Sequence, residues 1–333
     1  MTVVMKKILA IRNDRFGEFL LNIPALRAIK ETYPAAKLHV MVAPAVAELA
    51  GAVPFIDKIL VRPFGRRGWN EDIALVGQLR REHYDAAIVL NPTREAHHIV
   101  FWAGIPCRIG YARKHHFLLN RTLPDKKHLG LRHEVDNNLE LVGLIGAATQ
   151  DRSLGLVIPD EVQAAVAGKF GVPSGSVAVH PWTSDPVKQW PLERFTELVR
   201  RLAEKEAGKV IIIGRPESWQ ISAPSHLGGD LDVPSPRWGG VGEGGRNILD
   251  LTGRTTLLEA AAILKQCRCL VSCDSGPMHL ACSVGTRTVA LFRNDMPGKN
   301  PDRWGPWGDA AGHVVVQGAG MEQITLEAVL QMI

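Results

Sequence analysis

A chain of 333 residues, 46% hydrophobic and 22% charged, has the composition of an ordinary globular protein. It is long enough for two domains of roughly 150 residues each, and large-scale disorder is excluded. The net charge of +5 points to an anionic partner, whether phosphate, nucleic acid or membrane surface, without choosing among them.

The first apolar run, Ile8 to Ile11, reads as a short buried strand, and Arg12-Asn13-Asp14-Arg15 interrupts it too early for a secretory leader or a membrane span. A cytoplasmic location is therefore expected, with Met5 an equally good start of translation. Gly17 to Tyr33 is predicted as one helix, with Leu20, Ile23, Leu26 and Ile29 at intervals of three, and Leu38 to Val42 as the next strand. That is a βαβ unit. Its charged turn, Arg12 to Glu18, lies at the carboxyl end of a parallel strand, where open α/β sheets hold ligands; it also reads as a turn that merely caps a helix. Ala86 to Leu90 gives a further strand. Between Arg108 and His133 stand Arg108, Arg113, Lys114, Arg121, Lys126, Lys127 and Arg132, with Asp125 the lone acid. The run reads either as a solvated face or as a site for an anionic partner, and the lack of aromatic interleaving argues against nucleic acid.

A seam is expected between Ile158 and Ser176, around one short amphipathic helix. Beyond it the order of the first half repeats: Ser176 to His180 as strand, Pro191 to Glu206 as helix and Val210 to Ile213 as strand. Thr255 to Gln266, Cys269 to Cys273 and Thr288 to Phe292 follow as helix, strand and strand. Parallel sheets with crossover helices are the expected architecture. The Gly-rich stretch 228–245 reads as a long loop. Its literal GxGxxG at 240–245 lacks the preceding strand and following helix that a dinucleotide fold requires. Asp230 and Asp232 form a DxD pair there that reads as solvated rather than metal-binding. The five cysteines carry no repeated CxxC spacing and read as reduced core thiols, so no metal site is expected.

The run Asp274-Ser275-Gly276-Pro277-Met278-His279 follows an apolar strand and opens a helix, with Ser275 and Gly276 at the cap and Pro277 in the first turn. A capped strand-to-helix turn needs nothing more, but backbone N–H groups at such a start also suit a phosphate, and Asp274 and His279 favour a ligand site. His180 to Pro191 occupies the matching place after the strand before it, with Thr183, Ser184 and Lys188 positioned to clamp a diphosphate.

These segments, in this order, resemble glycosyltransferase family nine, the lipopolysaccharide heptosyltransferases. The most specific marks are Arg12 to Pro24, Lys188 with Trp190-Pro191, Gly214 to Glu217, Leu251 to Thr255, Asp274 to His279 with Gly285, and Arg303 to Gly308. The resemblance implies an α/β protein of two facing Rossmann-like domains (GT-B type). Residues 1–160 would bind acceptor and residues 161–333 the nucleotide-sugar donor. It implies Thr183, Ser184 and Lys188 on the phosphates, Glu217 on the ribose, and Asp274, Ser275, Gly276 and His279 in the donor loop. Arg113, Lys114, Lys126 and Lys127 then fall to the anionic acceptor. One departure stands out: where the family has an Asp base after the glycine of its first loop, this chain has Glu18, one methylene longer. Asp14 is the next candidate base.

The reaction so implied is metal-independent, inverting transfer of heptose from ADP-heptose to a lipopolysaccharide inner-core hydroxyl, with no cofactor beyond the donor and with peripheral contact at the inner membrane face. A nucleotide-sugar epimerase of the same architecture and a catalytically silent nucleotide-sugar-binding subunit are the alternatives.

Overall fold

The computed structural model describes residues 5–63, 65, 68–205, 209–214, 247–308 and 312–333. Glu217, Asp230, Asp232 and the Gly-rich stretch 228–245 lie outside the described residues. The chain divides into two compact units, Met1–Val157 and Ile158–Ile333, the division falling just before the 160/161 boundary expected from sequence.

In the first unit, chain order gives β1 (Lys7–Arg12), α1 (Phe16–Leu20), α2 (Ile23–Thr32), β2 (Lys37–Val42), α3 (Ala47–Gly51), β3 (Lys58–Val61) and α4 (Trp69–Glu82). There follow β4 (Ala86–Val89), α5 (Arg94–Trp102), β5 (Cys107–Tyr111), β6 (Arg121–Leu123) and α6 (Glu134–Gly143). All six strands are parallel, in the order β3-β2-β1-β4-β5-β6. Strands covered on both faces need apolar side chains throughout, which is why β1 is buried from Ile8 onward and β4, Ala86-Ala87-Ile88-Val89, is buried completely. One core cluster packs Leu9, Ile11, Met41, Leu79, Val89 and Val100 together. Full burial of one such side chain contributes about 1.5–3 kcal/mol.

The single helix expected from Gly17 to Tyr33 is two helices, α1 and α2, separated at Leu21 and Asn22. Pro24 is the reason. It sits in the first turn of α2, has no N–H to donate to the preceding turn, and so starts a helix more readily than it continues one. The Asn22 side chain donates to the Glu18 carbonyl and secures the break.

The second unit contains α7 (Asp160–Phe170), β7 (Val177–His180), α8 (Leu192–Lys205), β8 (Val210–Ile212), β9 (Ile248–Asp250) and α9 (Leu257–Gln266). After these come β10 (Cys269–Cys273), α10 (Gly276–Ser283), β11 (Arg287–Arg293), α11 (Pro301–Trp304), β12 (Val314–Gly318) and α12 (Leu326–Leu330). Its parallel order, β12-β11-β10-β7-β8-β9, is that of the first sheet with the strands renumbered. α8 lays Phe195, Leu198, Val199 and Leu202 onto the core, where Trp190 is fully buried and its indole N–H donates to the Ile324 carbonyl at 2.9 Å. A full capping box between Thr256 and Glu259 fixes the start of α9.

In both sheets the order reverses direction at one point, between β1 and β4 in the first and between β7 and β10 in the second. Crossovers leave to opposite sides there, opening a crevice at the carboxyl ends of the strands. Those ends carry Arg12 to Glu18 in one unit and His180 to Lys188 with Asp274 to His279 in the other. None of the described helices is long and apolar enough to cross a membrane.

Candidate functional site

At the carboxyl end of β1, the guanidinium of Arg12 is the centre of a charge cluster. Arg12 is buried, its Nε donates to Asp14 Oδ1 at 2.8 Å, one terminal nitrogen donates to Leu90 O at 3.1 Å, and the other pairs with Glu18. Glu18 stands in the first turn of α1, with its side chain 21% exposed. Burial pushes its carboxyl up to about 7; Asp14 and Glu134 push the same way, while Arg12 and Lys127 oppose them. A carboxylate that titrates near neutrality and still meets solvent is a competent general base. The two acids picked out from sequence therefore share one cation.

Two members of this cluster were not singled out in the sequence, and a third was placed elsewhere. Arg12 stood there only as the first residue of the charged turn Arg12 to Glu18, with no role of its own. Glu134, 1% exposed at the start of α6, leaves no such mark; it is brought in by the fold. Its partner Lys127 is a correction. Sequence placed Lys127 with Arg113, Lys114 and Lys126 in an open basic field, whereas its ammonium lies 2.5 Å from Glu134 Oε1 and 4.1 Å from the centre of the Tyr111 ring, with only 9% of the side chain exposed. An ion pair in that setting is shielded from bulk salt, so Lys127 is part of the Glu18 cluster and not of a capture surface. Arg113 and Lys114 are exposed, Arg113 reaching Asp125 at 3.5 Å, and Lys126 is exposed as well.

In the second unit, Lys188 and Asp274 are brought together: Nζ lies 2.5 Å from Asp274 Oδ2, with both side chains largely buried. Thr183, also buried, donates from Oγ1 to the Asp274 carbonyl at 3.4 Å and so joins the β7 turn to the β10 turn. Ser184 follows it, half-buried. Gln189, not singled out from sequence, holds this turn in shape, donating to Pro181 O and Trp190 O at 2.7 Å each and accepting from the Thr183 N–H at 3.2 Å.

Ser275 is the N-cap residue of α10 but makes no capping bond. Its hydroxyl is engaged sideways, 2.8 Å from Ser272 Oγ and 3.3 Å from His180 Nδ1. Gly276 opens the helix and His279 is buried one turn in. With the cap serine turned away, the first amides of α10 lack the usual side-chain acceptor, and an anion at this helix start would supply it. Burial drives the His180 imidazole down to about 3, so it is neutral at any working pH. Gly214 accounts for part of that seal. Its φ is +126°, and a Cβ there would stand 2.6 Å from His180 Cδ2, so only glycine lets the β8 turn close over the ring.

Cys107, Cys267, Cys269, Cys273 and Cys282 are all free, and burial pushes the Cys267, Cys273 and Cys282 thiols up to about 12, which suits inert core packing. Among the described residues, no three of His, Cys, Asp or Glu are grouped to hold a metal ion.

Against known proteins, residues 73–331 match the family model for glycosyltransferase family 9 (heptosyltransferase). The chain is 26% identical to lipopolysaccharide heptosyltransferase 2 of Escherichia coli K12 over 313 residues, covering 89% of this chain and 85% of that protein. Among solved structures it superposes on a family 9 glycosyltransferase from Veillonella parvula with a TM-score of 0.80 at 20% identity, covering 100% of this chain and 97% of the other. The E. coli ADP-heptose LPS heptosyltransferase II gives 0.78 at 21% identity, over 98% and 97% of the two chains.

Proposed function

We infer the reaction from one premise, that the chain belongs to glycosyltransferase family 9: it moves heptose from a nucleotide-activated donor, ADP-heptose, to a sugar hydroxyl of a lipopolysaccharide inner core. The observation that carries the mechanism is the Glu18 carboxylate, raised to about 7 at the carboxyl end of β1. Glu18 takes the proton of the acceptor hydroxyl as that oxygen attacks the anomeric carbon. The bond from that carbon to the diphosphate breaks with inversion, and ADP leaves with the electron pair. A positioned base supplies about 10²–10⁴-fold of such a rate, and the remainder comes from alignment and from stabilising the departing charge.

Thr183, Ser184, Lys188, Asp274, Ser275, Gly276 and His279 are assigned to the donor, and Glu217 to its ribose by the family resemblance alone. The buried Lys188 cation and the uncapped start of α10 support the diphosphate's place. On this reading the second unit holds donor and the first holds acceptor, with Arg113, Lys114 and Lys126 facing its anionic groups. No further cofactor enters the scheme.

One incubation tests it: the chain with ADP-heptose, with and without deacylated core acceptor. Transfer only when acceptor is present supports the reading. Donor isomerisation without acceptor would mean an epimerase, and tight donor binding with no turnover would mean a silent subunit.

A further inference from the structure

The strand order of the second sheet sets β10 between β11 and β7, so the turns that follow those two strands flank the start of α10. They meet across it. Lys299, from the segment after β11, places its Nζ 2.8 Å from Oδ2 of Asp185 in the β7 turn. Arg293, the last residue of β11, donates from a terminal nitrogen to Val187 O at 3.0 Å. Segment 293–299 therefore crosses the carboxyl end of β10. Burial raises the Asp185 carboxyl, but the Lys299 bond, the Val187 N–H and the charges of Lys299 and Lys188 bring it below its ordinary value. Two lysines thus flank one carboxylate at the place assigned to the donor diphosphate.

The two lysines are held differently. Lys188 is 17% exposed beside Asp274 at 7%, whereas Lys299 is 37% exposed and Asp185 29%. An ion pair so open to water contributes little and is given up at small cost. Nor is the Lys299 charge needed to hold its own segment. The Lys299 N–H bonds Met296 O at 3.2 Å, the Trp304 indole N–H donates to Gly298 O at 2.9 Å, and Arg293 ties the segment to Val187. Asp185 fixes its own turn by accepting from the Val187 N–H at 3.3 Å through its other oxygen. A flexible ammonium on a fixed backbone, beside a weakly held partner, is suited to meet a stronger anion. The donor offers one, since a diphosphate carries more than a single negative charge and Lys188 supplies one cation.

We propose that Lys299 is a second donor-binding cation, which turns from Asp185 to the diphosphate when the nucleotide sugar binds and holds it alongside Lys188. The proposal rests on the donor site assigned above and adds the segment after β11 to it. As the bond to the anomeric carbon breaks, the negative charge gathering on ADP then meets both lysines.

Calorimetric titration of the full chain with ADP and with adenosine tests it. Lys299→Met, which keeps the stem and removes the charge, should weaken ADP about 10- to 100-fold and adenosine less than about twofold. Lys299→Arg should restore most of that loss. Asp185→Asn keeps an oxygen for the Val187 N–H and releases Lys299, so it should tighten ADP about threefold or more. If the pair merely props the turn, Lys299→Met and Asp185→Asn weaken ADP alike, and the proposal is overturned. An ADP affinity that Lys299→Met leaves unchanged, or an adenosine affinity that falls in step with it, overturns it equally. Lys188→Ala separates this result from the donor site itself. Loss of ADP affinity in Lys188→Ala with none in Lys299→Met keeps the site and removes Lys299 from it. No loss in either variant, or no ADP binding by the wild type, removes the diphosphate from this turn and overturns both readings.

Discussion

Replacing Glu18 with glutamine separates two consequences of its position. With a pKa of about 7, roughly one Glu18 in ten is ionised at pH 6 and nine in ten at pH 8, so kcat/KM of the wild type should rise about tenfold between them and then level off. Glu18→Gln should lie about 10²–10⁴-fold lower with that rise gone, and donor affinity should hardly change. Stability should move the other way. Because the folded value exceeds the ordinary 4.5, the folded chain binds this proton more tightly than the unfolded chain does. Its favourable contribution is complete below pH 4.5 and is lost as pH rises through 7, at most about 3 kcal/mol in all. Glutamine mimics the protonated form, so the variant should match wild type near pH 4.5 and exceed it in urea midpoint at pH 8. A kcat/KM profile that is flat from pH 5.5 to 8.5, or a glutamine variant less stable than wild type at pH 8, would refute the reasoning.

Lys188→Ala should weaken ADP far more than adenosine in calorimetric titrations if the lost cation serves the diphosphate as proposed; equal losses would remove it from that place. Raising salt to physiological strength should increase the acceptor KM more than the donor KM, and Arg113→Gln with Lys114→Gln and Lys126→Gln should mimic it with kcat kept. Lys127→Gln should behave differently, costing about 3 kcal/mol or more by taking a buried cation from Glu134; an unchanged melting temperature would return Lys127 to the surface set. Transfer should survive EDTA, and a loss that manganese restores would bring Asp230 and Asp232 forward as ligands.

The fold was legible where burial leaves a local trace. β10 was read to the residue because five consecutive small or apolar side chains, Cys269 to Cys273, have no other use than a strand covered on both faces. The period-three spacing of Leu20, Ile23, Leu26 and Ile29 misled for a physical reason: α1 and α2 keep the same side toward the core across their break, so the spacing survives while Pro24 ends the backbone ladder. Within the candidate site, Glu18 and Lys188 were legible only as members of polar segments that follow a parallel strand, and the roles proposed for them came from the family resemblance. Glu134 was not, since its effect on Glu18 comes from the start of a helix more than a hundred residues further along the chain. Lys127 shows the same limit, because a run of cations does not reveal which one turns inward.

With the diphosphate on Lys188 as proposed, the pairing of that lysine with Asp274 would make nucleotide binding an exchange of anions. An arriving diphosphate would meet a cation that already has a carboxylate 2.5 Å away, so the affinity for ADP would be the difference between two ion pairs, not the strength of one. The same arrangement would favour turnover at the other end of the cycle. As spent ADP loosened, Asp274 would take the lysine back, and the site would empty without stranding a buried charge.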